Sequence, residues 1–209
     1  MNSIKLIEKE LRQVQKIIKS DFVKEKTIKN LYEHVFKAKG KKIRAKLNLT
    51  SSSFNRRNKK RIKLAAIIEL LHTATLVHDD VVDNSSIRRG KKSVNSAWSN
   101  SHGVLIGDYI YSKAFMYMVD IGNREILEEL SNATNDISQG ELIQLDAIKN
   151  VEISLNKLKK ISYFKTGRLF EAAAKTGALL VNADKRLISN ISELSLIHIS
   201  EPTRPREIA

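Results

Sequence analysis

The fold prediction starts from residues 72–90, HTATLVHDDVVDNSSIRRG, which come directly after a run of apolar residues at helical spacing. Asp79, Asp80 and Asp83 occur at i, i+1 and i+4, so a helix would place the first and last one above the other. We expect the three carboxylates to crowd into one patch. Two like charges about 4 Å apart repel by roughly 4 kcal/mol at an effective dielectric of about 20, and a divalent cation would cancel that repulsion.

Carboxylate oxygens favour a hard cation such as Mg²⁺, which takes one or two carboxylates and completes its coordination with water and substrate phosphates. Arg88 and Arg89 follow five residues after the last aspartate. Their guanidinium groups match the geometry of phosphate oxygens, although two adjacent arginines are more often plain surface charge. Acidic and basic groups this close together indicate that the chain handles a diphosphate.

HDDVVD at 78–83, followed by RRG at 88–90, resembles the first aspartate-rich motif of the polyprenyl synthetase family, the trans-isoprenyl diphosphate synthases. GKKIRAKL at 40–47 is similar to the upstream basic motif of that family. Residues 95–115, GELIQL at 140–145 and KT at 165–166 also match in order and spacing. The resemblance covers about residues 37–177. It implies an all-α fold, an isoprenoid-synthase-type helical bundle that is incomplete at its C-terminus.

The composition agrees with a helical chain. The 209 residues suit one domain, and 2 Pro and 8 Gly favour long helices over a turn-rich β fold. Because there is no Cys, disulfides and thiolate chemistry are excluded and a reducing compartment is allowed. No apolar run approaches the roughly 20 residues of a membrane span. We therefore expect a cytoplasmic protein without a transmembrane segment.

The net charge of +14 is concentrated near the start of the chain. Residues 1–63 hold 20 Lys and Arg against 5 Asp and Glu, whereas the remaining residues are nearly balanced. Solvated, lysine-rich helix faces are the commoner cause of such a bias. A surface that contacts nucleic acid or an anionic membrane is the alternative. We expect no nucleic acid partner and leave peripheral membrane contact open.

The spacing of apolar residues predicts a series of helices. They cover 1–19, 27–38, about 25 residues from Ile62 that include Asp79, 101–119, 125–147, and two segments within 155–180 that are separated by a break near Lys165. Residues 84–92 are expected to form a polar loop. The helix over 125–147 carries Glu141 and Gln144 at i and i+3, a polar pair on an otherwise apolar face that could face a cavity.

The resemblance assigns the departing diphosphate of an allylic prenyl substrate to one group of residues. Asp79 and Asp83 would bind Mg²⁺ with Asp80 assisting, and Arg88 would contact the diphosphate. Three further residues are expected near the same group: Gln144, Lys165 and Thr166. Taken alone, Lys165 would be interpreted as a surface lysine.

A second group would hold isopentenyl diphosphate, the other substrate that the resemblance implies. Lys41 and Arg44 at a helix N-terminus would add their charge to free backbone N–H groups, although a solvated helix start explains the same residues. His72 and Arg89 complete this group by resemblance. The usual Gly before the motif is Lys39 here, and the usual Pro after its Arg is Ala45.

Ala74 and Thr75 precede the aspartates by about one helical turn. In the resembling family this region is a floor that limits product length, and small residues there favour a medium- or long-chain product. We interpret His78 as structural.

The expected activity is a Mg²⁺-dependent prenyltransferase that condenses isopentenyl diphosphate with an allylic diphosphate to an all-trans product. The resemblance favours a homodimer. Two other interpretations stay open: a non-catalytic small subunit of a heteromeric prenyl synthase, and a basic helical module that binds nucleic acid or membrane.

LSLIHISEPTR at 194–204 back-translates, codon for codon, to the transposase adapter used in sequencing libraries. We expect residues 1–193 to be the N-terminal part of one domain and 194–209 to be adapter read-through without a structure of its own. The second aspartate-rich motif of the family is absent from the sequence. We expect the complete gene product to be longer, to contain that motif, and to be active where this chain is not.

Overall fold

The computed structural model describes residues 3–20, 25–37, 40–55, 58–148 and 153–200. Within these ranges the chain is almost entirely helical. The elements are α1 (Ser3–Lys19), α2 (Lys26–Lys37), α3 (Ile43–Ser51), a 3₁₀ turn (Ser53–Asn55), α4 (Lys60–Val82), β1 (Ile87–Arg88), β2 (Lys91–Lys92), α5 (Val94–Ala97), α6 (Asn100–Ile121), α7 (Arg124–Ile148), α8 (Leu155–Ser162), a π turn (Tyr163–Gly167), α9 (Arg168–Leu180) and α10 (Lys185–Ser200).

The central helix is α4, which contains no Gly or Pro and carries apolar residues on every side. A helix with apolar residues all round its surface is stable only when it is buried. Accordingly, α4 packs against α1, α3, α6 and α9. This packing carries the acidic C-terminal end of α4 into the side of the bundle that α6 and α7 form.

Arg61, at the start of α4, connects the N-terminal helices to the core. Its side chain is 1% exposed, pairs with Glu10 of α1, and donates to the carbonyl of Leu49 at 2.6 Å and to Ser52 Oγ at 3.3 Å. A buried guanidinium is tolerated only when its donors are satisfied. The arrangement therefore fixes α1 against α3 and α4.

A second buried ion cluster joins α7 to α9. Arg168 donates to Asp136 at 2.7 Å and to Glu129 at 2.6 Å, and Glu129 also accepts from Lys175 at 2.6 Å. Glu171 lies 3.4 Å from the same guanidinium. Burial alone would lower the pKa of Arg168, but its hydrogen bonds to Asp136 and Glu129 outweigh burial and raise the pKa. The cluster holds α9 in a fixed position just after the π turn.

The all-α prediction is confirmed, and the expected helix from Ile62 is α4, 23 residues long. Residues 84–92, expected to be only a loop, contain the antiparallel pair β1–β2. The break expected near Lys165 is instead a π turn that leaves the helix continuous. Residues 1–2 and 38, at the ends of two predicted helices, lie outside the described residues.

The prediction that residues 194–209 are adapter read-through stays a prediction. The helix α10 continues without interruption across Leu194 to Ser200, where no structure was expected. It packs on α9, and Ser195 within it is buried. Residues 201–209 lie outside the described residues. Among the described helices, none combines the length and apolar character that crossing a bilayer requires.

Candidate active site

The predicted patch of three carboxylates forms only in part: Asp83 lies close enough to Asp79 to help raise its pKa, whereas Asp80 turns to Arg88. Asp79 lines a cleft between α4, α6 and α7, whereas Asp80 is 5% exposed and lies against Arg88. Successive residues of a helix are about 100° apart, which separates these two side chains. Asp83 is exposed at the helix end. In the part of the chain that the structure describes, no three metal-ligating side chains form a cluster.

Asp80 holds the hairpin that carries the two arginines. Arg88 donates to Asp80 Oδ1 from Nε at 2.8 Å and from Nη2 at 2.5 Å, and this hydrogen bond raises the pKa of Arg88. Arg89 and Gly90 form the turn, with φ of 51° and 75°. A type I′ hairpin turn has positive φ at both positions, and Gly90 adopts it without strain. Arg88, predicted to contact a diphosphate, is thus already paired with a carboxylate.

Asp79 faces a second carboxylate across the cleft. Burial, and then the negative charge of Glu141, raise the pKa of Asp79 to about 6, while Lys165 opposes this shift. Lys165 Nζ lies 2.9 Å from Glu141 Oε2. Glu141 Oε1 is buried and accepts no hydrogen bond within the described ranges. One half-buried carboxylate and one unsatisfied carboxylate oxygen are therefore available to a cation.

Glu141 was noted in the sequence only as half of an i, i+3 pair with Gln144, and the structure gives it the larger role. Gln144 is partly buried one turn further along α7 and is not among the residues that line the cleft. The cleft, here called the acidic cleft, has a volume of about 380 Å³. Other residues that line it were not identified from the sequence: Asp108, Tyr111, Phe115 and Asn135.

Thr75 lines the acidic cleft one turn below Asp79, as the floor prediction requires, but Ala74 is fully buried and does not line it. His78 packs where α4 meets α6. Its Nε2 lies 3.2 Å from the carbonyl of Val104, and its ring stacks on Tyr111 with centroids 5.9 Å apart. These contacts agree with a structural role for His78, which also lines the cleft.

A group of cations lies further up α4, where α3 meets it. Arg44 Nη1 lies 3.1 Å from His72 Nε2, and its guanidinium is 4.2 Å from the ring centroid of Phe170. Burial lowers the pKa of Arg44 to about 10. Arg89 lies beside Gly40, where a Cβ would come within 2.4 Å of Arg89 Nη1. Lys41 is exposed just before α3. The structure thus brings together Arg44, His72 and Arg89, with Lys41 at the edge.

Lys165 lies on the π turn and contacts Glu141, which lines the acidic cleft. This turn adds a residue to the helix, and Gly140 of α7 lets it approach: a Cβ at Gly140 would lie 2.8 Å from Phe164 Cβ. π turns occur preferentially at functional sites. Thr166, predicted to bind the same phosphate, is exposed on this turn.

We expect His72 to make the fold sensitive to acid. Burial, followed by the charges of Arg44 and Arg89, lowers the pKa of His72 to about 3. Below a pH of about 6.5, His72 binds a proton in the unfolded chain but not in the folded chain. The free energy of unfolding therefore falls as the pH drops through this range. As the pH falls from about 7.5 to about 5.5, the free energy of unfolding should decrease by about 1 kcal/mol less in His72→Gln than in the wild type, as measured by urea titration. Equal losses in the two proteins would contradict this placement.

Comparison with known proteins shows the family of the chain. Residues 25–197 match the family described as Polyprenyl synthetase. The chain belongs to the polyprenyl synthetase family. It is 40% identical over 154 residues to octaprenyl diphosphate synthase of Escherichia coli (strain K12), an alignment that covers 73% of this chain and 48% of that protein. It is 41% identical over 155 residues to the geranyl-diphosphate-specific all-trans-nonaprenyl-diphosphate synthase of Rhodobacter capsulatus, with the same coverage.

Solved structures of polyprenyl synthetases also share this fold. A polyprenyl synthase from Caulobacter crescentus CB15, crystallised with calcium and isoprenyl diphosphate, superposes with a TM-score of 0.89 at 33% identity. That match covers 92% of this chain and 60% of the other. A decaprenyl diphosphate synthase from Rhodobacter capsulatus gives 0.87 at 32% identity, covering 91% and 60%. The chain spans about half the length of the curated relatives it matches.

Proposed function

We propose that this protein, continued to the length of its relatives, condenses isopentenyl diphosphate with an allylic diphosphate to an all-trans polyprenyl diphosphate. The observation that carries the proposal is that an acidic group of residues and a basic group of residues lie side by side along α4. Asp79 of α4 and Glu141 of α7 line the acidic cleft. About two turns earlier on α4, His72 meets Arg44 of α3. An acidic site for a metal beside a basic site for phosphate suits a reaction between two diphosphates.

The residues fit Mg²⁺. This ion requires only one or two carboxylates, because water and substrate phosphates complete its octahedron. Asp79 and Asp83 would hold it, with Glu141 Oε1 as an unsatisfied buried acceptor close to Asp79. Asp80 would act through Arg88. Bound Mg²⁺ would neutralise the diphosphate and polarise its bond to the allylic carbon.

The cations of the chain would hold the departing diphosphate. Lys165, now paired with Glu141, can turn its ammonium to a phosphate oxygen, and Thr166 can donate its hydroxyl beside it. Gln144 would contribute from α7. Arg88 would keep one donor on Asp80 while it contacts the same diphosphate. As the carbon–oxygen bond breaks, the diphosphate leaves with the electron pair, and these donors stabilise its charge.

Isopentenyl diphosphate would lie against the second group of cations, Lys41, Arg44, His72 and Arg89. Because the pKa of His72 is lowered to about 3, its neutral ring can donate or accept a hydrogen bond without adding charge. The double bond of this substrate attacks the allylic cation, a carbon–carbon bond forms, and a proton leaves the adjacent carbon. Tyr111 and Phe115 line the cleft and would exclude water from the cation.

Product length would depend on the floor of the acidic cleft. Thr75 is the side chain at that floor below Asp79, and its small volume leaves room for a medium- or long-chain product. Repeated condensation would extend the prenyl chain past this position.

The exposed side of α6 suits a second copy of the chain. Leu105, Met116 and Val119 on this helix are 66%, 63% and 71% exposed. Large apolar side chains that share one helix indicate a contact surface. We include a homodimer in the proposal, and sedimentation of the extended protein would test it. We also propose that the enzyme works in the cytoplasm, a reducing compartment that suits a chain without Cys, and cell fractionation would check this.

Radiolabelled isopentenyl diphosphate, an allylic primer and Mg²⁺ provide the test. We expect the extended protein to convert the label to an apolar product and to lose this activity when a chelator removes the metal. The 209-residue chain alone should give little or no product, because it spans only about half the length of the relatives it matches. If the extended protein makes no apolar product with any allylic primer, the proposed function is wrong.

A further inference from the structure

A row of cations runs along the outer face of α1. Lys5, Lys9, Arg12 and Lys16 are all exposed, at successive intervals of four, three and four residues. A helix turns about 100° and rises about 1.5 Å per residue, so these side chains leave it within an arc of about 60° along roughly 16 Å. These four residues are here called the basic face of α1.

The basic face points away from the protein core. Val14 and Ile18 lie on the opposite side of α1, are 0% and 3% exposed, and belong to the core. The helix packs on α3 and α4. Because the apolar side of α1 is already buried, the helix has no apolar side to insert into lipid, and a partner can meet only its charges.

The basic face lacks carboxylate partners. None of its four cations lies within ion-pair distance of a carboxylate in the described part of the chain. Glu10 is buried against Arg61, so Glu8 is the one exposed carboxylate among the described residues of α1. Lys63 of α4, by contrast, pairs with Asp120. The four cations less this one carboxylate leave an excess charge of +3.

We propose that the basic face of α1 binds an anionic membrane surface. Each Lys or Arg held close to such a surface strengthens binding about fivefold, so four together supply roughly several hundredfold. The attraction falls off within the Debye length, about 8 Å at physiological ionic strength. Only cations that face the bilayer together can act within that distance, and a straight row on one side of a packed helix meets this condition.

The composition and shape of the basic face favour lipid over nucleic acid. The described helix α1 contains no aromatic residue on which a base could stack. Its packed side leaves a flat row of charges outside, which matches a membrane surface along its whole length. One further reason rests on the proposed function: a polyprenyl diphosphate has a long apolar chain that partitions into lipid, so its producer benefits from lying on a bilayer.

Vesicle binding by the 209-residue chain tests the proposal. We expect the chain to sediment with vesicles of one part phosphatidylglycerol to two parts phosphatidylcholine, and not with vesicles of phosphatidylcholine alone. Because the contact is electrostatic, salt at about 1 M, where the Debye length is about 3 Å, should release the protein.

Two double variants with the same change in net charge locate the contact. Lys9→Gln with Lys16→Gln should weaken vesicle binding by about 25-fold. Lys157→Gln with Lys159→Gln removes two exposed lysines of α8, which packs on α7, and should change binding by no more than about twofold. Glutamine has a helix propensity close to that of lysine, so both proteins should keep the wild-type helix content, which circular dichroism checks.

Four results would overturn the proposal. They are no sedimentation with the anionic vesicles, sedimentation that survives the high salt, equal weakening by the two double variants, and tighter binding to a DNA duplex that only the α1 substitutions weaken. The third would assign the binding to net charge, and the fourth would assign the basic face to nucleic acid. Failure of the prenyl transfer assay would leave the vesicle result standing, since the vesicles contain neither metal nor allylic substrate.

Discussion

Replacing Asp79 with asparagine should reduce kcat of the extended protein by about 100- to 1,000-fold. Asparagine keeps the size of the side chain and removes its charge. Asp79 is the half-buried carboxylate of the acidic cleft and faces the unsatisfied oxygen of Glu141. Loss of that charge should weaken the binding of Mg²⁺, the ion that would neutralise the departing diphosphate, and steady-state turnover of labelled isopentenyl diphosphate measures the effect.

The matched control is Asp146→Asn, an exposed aspartate on α7 that does not line the cleft. It should keep turnover within about twofold, as surface substitutions away from a site usually do. Both variants should melt at temperatures close to that of the wild type. Full turnover in Asp79→Asn would remove the acidic end of α4 from the mechanism.

Arg168→Ala should have the largest effect on stability, a loss of about 3–5 kcal/mol in the free energy of unfolding. The side chain is 8% exposed and bonds to Glu129 and Asp136. Removing the guanidinium leaves carboxylates without their partner in a poorly hydrated site. Urea titration of the 209-residue chain measures the change, and a fall in Tm on the order of 10 °C should accompany it.

Arg186→Ala is the control, because that arginine is exposed on α10 and belongs to none of the described ion pairs. It should change stability by no more than about 0.5 kcal/mol. Were Arg168→Ala as stable as Arg186→Ala, the cluster would not be what fixes α9 against α7.

The sequence predicted those parts of the molecule that depend on local pattern. The absence of Gly and Pro between Lys60 and Val82, together with the apolar run, was enough to predict α4 and its acidic end. Gly90 after two arginines is a turn signal, yet the strands on either side of it are only two residues long. Strands this short have too few residues to show an alternating pattern.

The pairing of Asp80 with Arg88 could not be predicted, because it depends on how the hairpin folds back onto α4. Similarly, Glu141 meets Asp79 only through the packing of α7 beside α4 and α6, which no local pattern encodes. The i, i+3 pairing of Glu141 with Gln144 indicated polar residues on an apolar face. It could not show which of the two side chains would reach the cleft.

The π turn at Tyr163–Gly167 also explains why the sequence predicted a break in the helix near Lys165. A turn that holds an extra residue shifts the angular phase of everything after it. The apolar stripes of α8 and α9 therefore lie on one continuous helix but in two different angular registers. A single helical repeat fitted to the whole segment cannot match both apolar stripes. The sequence pattern therefore predicts a break where the backbone only changes its angular register.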